Sequence, residues 1–179
     1  MKWKVSKEWT LFLDRDGVIN KRIPDSYVQF PNEFIFIKNV VDTIAKCSGI
    51  FGTIVVVTNQ QGIGKGLMTE RNLEEVHRYM LNKIEDAGGK IAKVYFAPQM
   101  VRENSPMRKP NIGMGLQAQK DFPMIDFSKA IMIGDSNSDI EFGKNLGMKT
   151  VKVGRGRPDS SNADAFLLTM NGILKLIEV

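Results

Sequence analysis

The sequence predicts a doubly wound α/β fold, Rossmann-like, with a parallel sheet and helices on both faces. Three observations carry this. Short apolar runs, several of them β-branched, recur along the chain. Segments with the three/four spacing of an amphipathic helix stand between them. Their regular alternation calls for parallel pairing through helical crossovers. In chain order, Trp9-Thr10-Leu11-Phe12-Leu13 reads as a first buried strand. Val40, Val41, Ile44 and Ala45 share one helical face, closed by Gly49 and Gly52. Ile54-Val55-Val56-Val57 is an unbroken strand of the kind covered on both faces. Thr69 to Ala87 is the clearest helix: Leu73, Val76, Met80 and Ile84 form its apolar stripe, and Gly88-Gly89 ends it. Ile91 to Phe96, Ala130 to Ile133 and Thr150 to Val153 are three further strands. Met114 to Phe122 is a shorter helix. Ser136 caps another that runs to Leu146, with Asp139 and Glu141 at its positive end. Thr169 caps a last one through Ile173, Leu174 and Ile177.

The 179 residues form a single domain by this reading, with no repeat, no low-complexity tract and no linker. Hydrophobic residues at 42% and charged residues at 25% exclude a disordered or fibrous chain. One cysteine, Cys47, excludes an internal disulfide framework and an all-cysteine metal cage. Apolar runs such as Ile54 to Val57 fall far short of the ~20 residues of a membrane span. The charged N-terminus leads into no apolar stretch, so no signal peptide is visible, and a cytoplasmic location is expected. The net charge, 25 Lys+Arg against 20 Asp+Glu, is +5. That balance accommodates an anionic ligand without calling for nucleic acid. Gly154-Arg155-Gly156-Arg157 reads as a solvated loop. The segment from Gly17 to Lys38, with alternating Tyr27, Phe30, Phe34 and Phe36, suggests a small β-hairpin flap.

Ligands of such sheets bind beyond the carboxyl ends of the strands, so the residues found there matter most. Strand one ends in Asp14-Arg15-Asp16-Gly17 and strand two in Thr58-Asn59-Gln60. Arg108-Lys109-Pro110 follows strand three. Strand four ends in Gly134-Asp135-Ser136, with Asp139 one helical turn on. Asp14 and Asp16, two residues apart on extended backbone, project to one side. Asp135 adds a third carboxylate. Crowded carboxylates call for a hard divalent cation, and oxygen ligands with room for water favour Mg²⁺. The cation draws in a phosphate, whose oxygens Lys109 and the Thr58 hydroxyl can hold. Asn59, Arg108 and Ser136 are candidate substrate contacts. A carboxylate nucleophile splits phosphoester hydrolysis into two easier steps. A second aspartate then protonates the leaving oxygen and deprotonates the attacking water. That role calls for a raised pKa at Asp16, which neighbouring carboxylates favour and Mg²⁺ opposes.

These motifs, each at a strand end and in this order, resemble the four motifs of the haloacid dehalogenase superfamily of phosphatases, from about Trp9 to Val153. Phe12 to Asn20, Val57 to Ile63 and Arg108 to Met114 are similar to the branch of D-glycero-D-manno-heptose 1,7-bisphosphate and histidinol-phosphate phosphatases. The resemblance implies Asp14 as nucleophile and Asp16 as acid/base. It places Mg²⁺ on the Asp14 carboxylate, the Asp16 carbonyl and the Asp135 carboxylate. Thr58 and Lys109 would hold the phosphoryl group, and Arg108 the rest of a small phosphorylated metabolite. Arg108, Lys21 and Arg22 are candidates to grip a second phosphate.

One departure stands out. Close relatives carry a Cys/His zinc loop before the Arg-Lys-Pro motif. Here Ala97, Gln99, Ser105 and Met107 fill the ligand positions, so no structural zinc is expected. Packing through Phe96, Met100 and Met107 is expected to hold that loop instead. The connections leave no room for a cap domain. Gly62-Ile63-Gly64-Lys65-Gly66 lacks the Ser/Thr and the first Gly of a phosphate loop, and reads as a turn lining the site. His77, the single histidine, reads as a packed or half-exposed residue outside catalysis, and Cys47 as a small buried hydrophobe. Two other functions share parts of this constellation. A phospho-accepting receiver domain places its acceptor after the third strand, where this chain has Ala97-Pro98. A nucleic-acid 3′-end phosphatase calls for an aromatic-and-basic surface that the sequence lacks.

Overall fold

The computed structural model describes residues 2–154 and 162–179. Six parallel strands form the main sheet: β2 (Thr10–Leu13), β3 (Thr53–Asn59), β4 (Lys93–Ala97), β5 (Ala130–Gly134), β6 (Lys149–Val153) and β7 (Ala165–Leu167). Their spatial order is β4-β3-β2-β5-β6-β7. Two-residue strands β1 (Trp3–Lys4) and β8 (Ile177–Glu178) pair in parallel beside it. The helices are α1 (Val40–Ile50), α2 (Glu70–Asp86), α3 (Gly113–Asp121), α4 (Asn137–Asn145) and the single turn α5 (Ile173–Leu176).

Side-chain alternation along the strands builds two cores. Leu11, Leu13, Ile54, Val56, Ile131 and Ile133 face α1 and α2, where Val40, Ile44, Val76, Met80 and Ile84 meet them. Phe12, Val55, Val57 and Met132 point the other way, onto Met114 and Ala118 of α3 and Phe142 of α4. Burial on both faces explains why these strands are continuous apolar runs rather than alternating ones. The chain winds outward from β2 through β3 to β4, then returns to add β5 on the other side of β2. The carboxyl ends of β2 and β5 therefore flank the point where the winding reverses, the place where an open α/β sheet leaves a crevice.

Three expectations need correction. The Gly17–Lys38 segment is not a two-stranded hairpin. A single antiparallel bridge, Asn20 to Phe36, closes its root, helped by the Lys21 N–H to the Ile35 carbonyl at 2.8 Å and the Ile37 N–H to the Ile19 carbonyl at 2.9 Å. Its aromatics alternate for another reason: Phe34 and Phe36 pack edge-on at 4.8 Å as an anchor, while Phe30 is exposed. The helix expected from Thr169 to Ile177 is a 3₁₀ turn (Met170–Gly172) followed by α5, and Ile177 already belongs to β8. Thr169 makes no side-chain cap there. Ser136 stands at the head of α4, but the carboxylate that reaches back is Asp139, accepting from the Ser136 N–H at 3.0 Å and its hydroxyl at 2.6 Å. The Gly154–Arg157 segment, read as a solvated loop, lies outside the described residues beyond Gly154. Among the described residues, no helix is long and apolar enough to cross a membrane, and neither long connection carries a cap domain.

Candidate active site

The site forms at the winding reversal. Asp14 is the first residue past β2, and its N–H donates to the Ile133 carbonyl at 2.9 Å, so the β2–β5 ladder fixes its position. Lys109 arrives from the loop after β4. Its ammonium donates to Asp14 Oδ1 at 3.0 Å, to Asp139 Oδ1 at 2.5 Å and to the Val57 carbonyl at 2.7 Å. All three N–H bonds of the ammonium are thus directed. Asp14 is 5%, Lys109 3% and Asp139 1% exposed, so these charges face one another away from bulk water. Burial and the facing Asp139 push the Asp14 carboxyl up, to about 7, against the pull of Lys109. The same burial would neutralise Lys109, but Asp139 and Asp14 outweigh it and hold the ammonium charged.

Asp135, just past β5, completes an acidic cluster: oxygens of Asp14, Asp135 and Asp139 lie within 4.8 Å of one another. The donor set is entirely hard carboxylate oxygen, which fits a cation of the Mg²⁺ class. Both Asp139 oxygens are engaged, one by Lys109 and one by Ser136. Among the described residues, Asp14 Oδ2 is the oxygen of the three carboxylates that no hydrogen bond engages. Arg22 closes over Asp135 with two hydrogen bonds, Nε to Oδ2 at 2.5 Å and a terminal nitrogen to Oδ1 at 2.6 Å. Gly17 makes the close approach possible. Its φ is +90°, and a methyl there would lie 2.0 Å from Asp135 Oδ2. Gly17→Ala is therefore expected to cost at least about 1–2 kcal/mol in a urea titration. It should also weaken divalent-cation binding about tenfold or more by calorimetry, through the displaced Asp135.

Asp16 is held by three neighbours. Arg15 and Asn20 donate to its Oδ1 at 3.0 and 2.9 Å, and Gln60 donates to Oδ2 at 2.7 Å. Burial pushes its pKa up, but Arg15 and the bonds from Asn20 and Gln60 outweigh it and hold the carboxyl below the usual range. The expectation of a raised pKa is thus reversed, because the side chains around Asp16 are donors rather than the neighbouring carboxylates. Behind Arg15 lies His77 of α2, buried and 3.2 Å from the guanidinium. Burial, helped by Arg15, drives the His77 pKa down to about 3. The unfolded chain binds a proton near pH 6.5 that the folded chain refuses until about pH 3. Stability is therefore expected to fall as pH drops through that window. In His77→Gln the fall between pH 6.5 and 4.5 should be shallower, as read by urea midpoints.

A cleft of about 710 Å³ opens over this centre. Thr58, Asn59, Arg108 and Ser136, the other sequence candidates, all line it together with Asp14, Asp16 and Lys109. The Asn59 amide also braces Lys109, donating to its carbonyl and accepting from its N–H, each at 3.0 Å. Thr58 Oγ1 accepts from Gln60 at 2.9 Å. Arg108 donates to the Gln99 carbonyl at 3.2 Å, and Ser136 spends its hydroxyl on Asp139. Of the candidates for a second phosphate, Arg22 and Arg108 line the cleft and Lys21 does not. Lys65, from the glycine turn, does, with its ammonium 5.5 Å from the Tyr27 ring centre. The 97–107 loop is tied by hydrogen bonds as well as packing: Gly64 N–H to the Pro98 carbonyl, Met100 N–H to Glu103, and Gly113 N–H to the Pro106 carbonyl. Met107 packs on the second core, and Met100 lies against Gly64. Phe96 instead packs edge-on against His77.

Sequence reasoning missed Arg15, Asn20 and Gln60 as parts of the site, although each sits inside a motif it singled out. Arg22 was assigned to a phosphate, and its pairing with Asp135, 113 residues away, leaves no local pattern.

The chain is similar to known proteins along most of its length. A HAD-hydrolase-like family model matches residues 106–170. The chain is 36% identical to a D-glycero-alpha-D-manno-heptose-1,7-bisphosphate 7-phosphatase of Burkholderia mallei, over 80% of this chain and 78% of that one. It is 33% identical to the enzyme of the same name from Photorhabdus laumondii, over 93% and 95% of the two chains. The fold superposes on the D,D-heptose 1,7-bisphosphate phosphatase of B. bronchiseptica, solved with magnesium and phosphate, with a TM-score of 0.82 at 23% identity over 93% and 96% of the chains. With the Asp14–Lys109–Asp139 centre at the winding reversal and these relatives along most of its length, the chain belongs to the heptose-bisphosphate phosphatase family of haloacid dehalogenase-like hydrolases.

Proposed function

We propose that this protein is a Mg²⁺-dependent phosphomonoesterase acting on D-glycero-D-manno-heptose 1,7-bisphosphate or a closely similar sugar phosphate. The observation that carries the reading is the meeting of Lys109, Asp14 and Asp135, remote in sequence, around one small volume. The Asp14 and Asp135 carboxylates and the Asp16 carbonyl would hold Mg²⁺. When bound, the ion neutralises the carboxylate cluster and polarises the phosphoryl oxygens.

The chain's own groups do the rest. An Asp14 oxygen attacks phosphorus, forming an O–P bond as the bond to the sugar oxygen breaks. Asp16 gives its proton to the departing alkoxide. Asp16 starts below the usual carboxylate range, and the negative charge of an arriving phosphoryl group raises it towards that task. Lys109 shares one of its three N–H bonds with a phosphoryl oxygen, and the Thr58 hydroxyl donates to another. Asp16, now a carboxylate, takes a proton from water, which attacks phosphorus and frees Asp14. The cations Arg108 and Lys65 that line the cleft suit a substrate with a second phosphate, while Arg22 is paired with Asp135. Cys47 is buried among apolar side chains, and burial pushes its thiol up to about 12.

The test is phosphate release from three compounds, heptose 1,7-bisphosphate, histidinol phosphate and a 3′-phosphorylated oligonucleotide, each with Mg²⁺ or EDTA. Magnesium-dependent release with the highest kcat/KM on the heptose bisphosphate is expected. A preference for either of the others would reassign the substrate, and no release from any would remove the proposal.

A further inference from the structure

We propose that Arg15 and His77 form a buried positioning pair that aims the Asp16 carboxyl at the leaving-group oxygen. Arg15 is fully buried and, unlike its neighbours Asp14 and Asp16, does not line the cleft. One terminal nitrogen lies 3.0 Å from Asp16, and the other lies 3.2 Å from His77 Nε2. Its Cζ stands 5.9 Å from the Phe34 ring centre. The guanidinium is thus gripped by a carboxylate, an imidazole and an aromatic face. Since a guanidinium only donates, Nε2 must accept, and the proton of the ring sits on Nδ1. The imidazole is itself fixed, edge-on to Phe96 at 6.3 Å, and burial keeps it neutral. Phe34 is fixed in turn by Phe36 and Tyr79. No part of this arrangement touches the cleft except through Asp16.

A buried Arg is costly unless its charge and its N–H bonds are matched. A core built only for stability would place an apolar side chain here. What the arrangement delivers is a rigid donor behind Asp16, one terminal nitrogen on the carboxylate and the other on His77, while Asn20 and Gln60 hold Asp16 from the sides. A misplacement of about 1 Å in such a group can cost about 10²-fold in rate. Without the imidazole acceptor, a terminal nitrogen joins Nε, which already has no hydrogen-bond partner in the interior, and the donor behind Asp16 loses its anchor.

This rests on the reading of Asp16 as the proton carrier, and the test separates the two ideas. For each variant, kcat/KM is measured on heptose 1,7-bisphosphate, whose alkoxide needs a proton to leave, and on p-nitrophenyl phosphate, whose phenolate does not. The ratio of the two reports protonation in the step that breaks the ester bond. Asp16→Asn calibrates it and should lower the ratio about 100-fold, within the range for general acid catalysis. His77→Leu, which removes the acceptor, should lower it about tenfold. His77→Gln, whose amide oxygen can accept, should leave it within about twofold of wild type. A merely structural role would depress both substrates alike and leave the ratio unchanged in His77→Leu, overturning the proposal. An unchanged ratio in Asp16→Asn would instead remove the proton-carrier reading, and this inference with it. Should His77→Leu not fold, Arg15→Lys keeps the charge without the fork, and must also lower the ratio about tenfold for the proposal to stand.

Discussion

Asp14→Asn should lower turnover by at least about 10⁴-fold, with the fold intact. An amide oxygen cannot form the acyl phosphate, and no other carboxylate is placed to take over. Asp139 has both oxygens engaged by Lys109 and Ser136, Asp135 has both engaged by Arg22, and Asp16 is held by Arg15, Asn20 and Gln60. The stability effect has a definite sign. The folded Asp14 pKa lies above the unfolded one, so the folded chain holds more protons between them. Stability of the metal-free protein should therefore fall as pH rises through 3.8 towards about 7. Asparagine removes that contribution. The variant should match or exceed the wild type in melting temperature at pH 8 without metal, while gaining less from added Mg²⁺. Lost turnover together with a lost fold would point to a structural role for Asp14 instead.

Lys109→Met should remove activity and stability together. The variant keeps the length of the side chain and deletes an ammonium that bridges two buried carboxylates. Breaking a buried pair from one side costs about 3–5 kcal/mol, because the remaining charges are left without a partner. Activity should drop about 10³-fold, the scale of losing one preorganised charge at the phosphoryl oxygens. Lys109→Arg should not rescue it. The planar fork cannot aim at Asp14, Asp139 and the Val57 carbonyl from a single nitrogen as the ammonium does. A double variant, Lys109→Met with Asp139→Asn, should recover part of the stability but none of the activity, as urea midpoints and phosphate release would show.

The contrast between these two residues shows what a sequence can carry. Asp14 was legible because its role follows from its place: a carboxylate just past a buried strand, in a motif with Gly17. The five longer strands were legible for a similar reason, since burial on both faces demands runs such as Ile54 to Val57. Strands β1, β7 and β8 have two or three residues each and exist only through their partners, so no periodicity announces them. The flap misled because alternation in aromatic residues mimics a strand; Phe34 and Phe36 alternate to reach Arg15 and Tyr79. Asp139 was placed on the correct helical turn, but its engagement by Lys109 depends on a loop arriving from 30 residues upstream. The sign of the Asp16 shift depended on which way Arg15 and Gln60 turn, and residue order does not encode that.

The most direct test is chemical. Purified protein is mixed with Mg²⁺ and heptose 1,7-bisphosphate carrying ³²P at the scissile phosphate, quenched in acid within milliseconds, and mapped by proteolysis. Asp16→Asn with ³²P-labelled p-nitrophenyl phosphate, whose phenolate leaves without a proton, serves as a second sample in which breakdown of the intermediate is slowed. Hydroxylamine-sensitive label on the peptide that holds Asp14 is the expected result. Phosphate release with no label on protein, or label on any other residue, would contradict the transfer to Asp14 on which everything here depends.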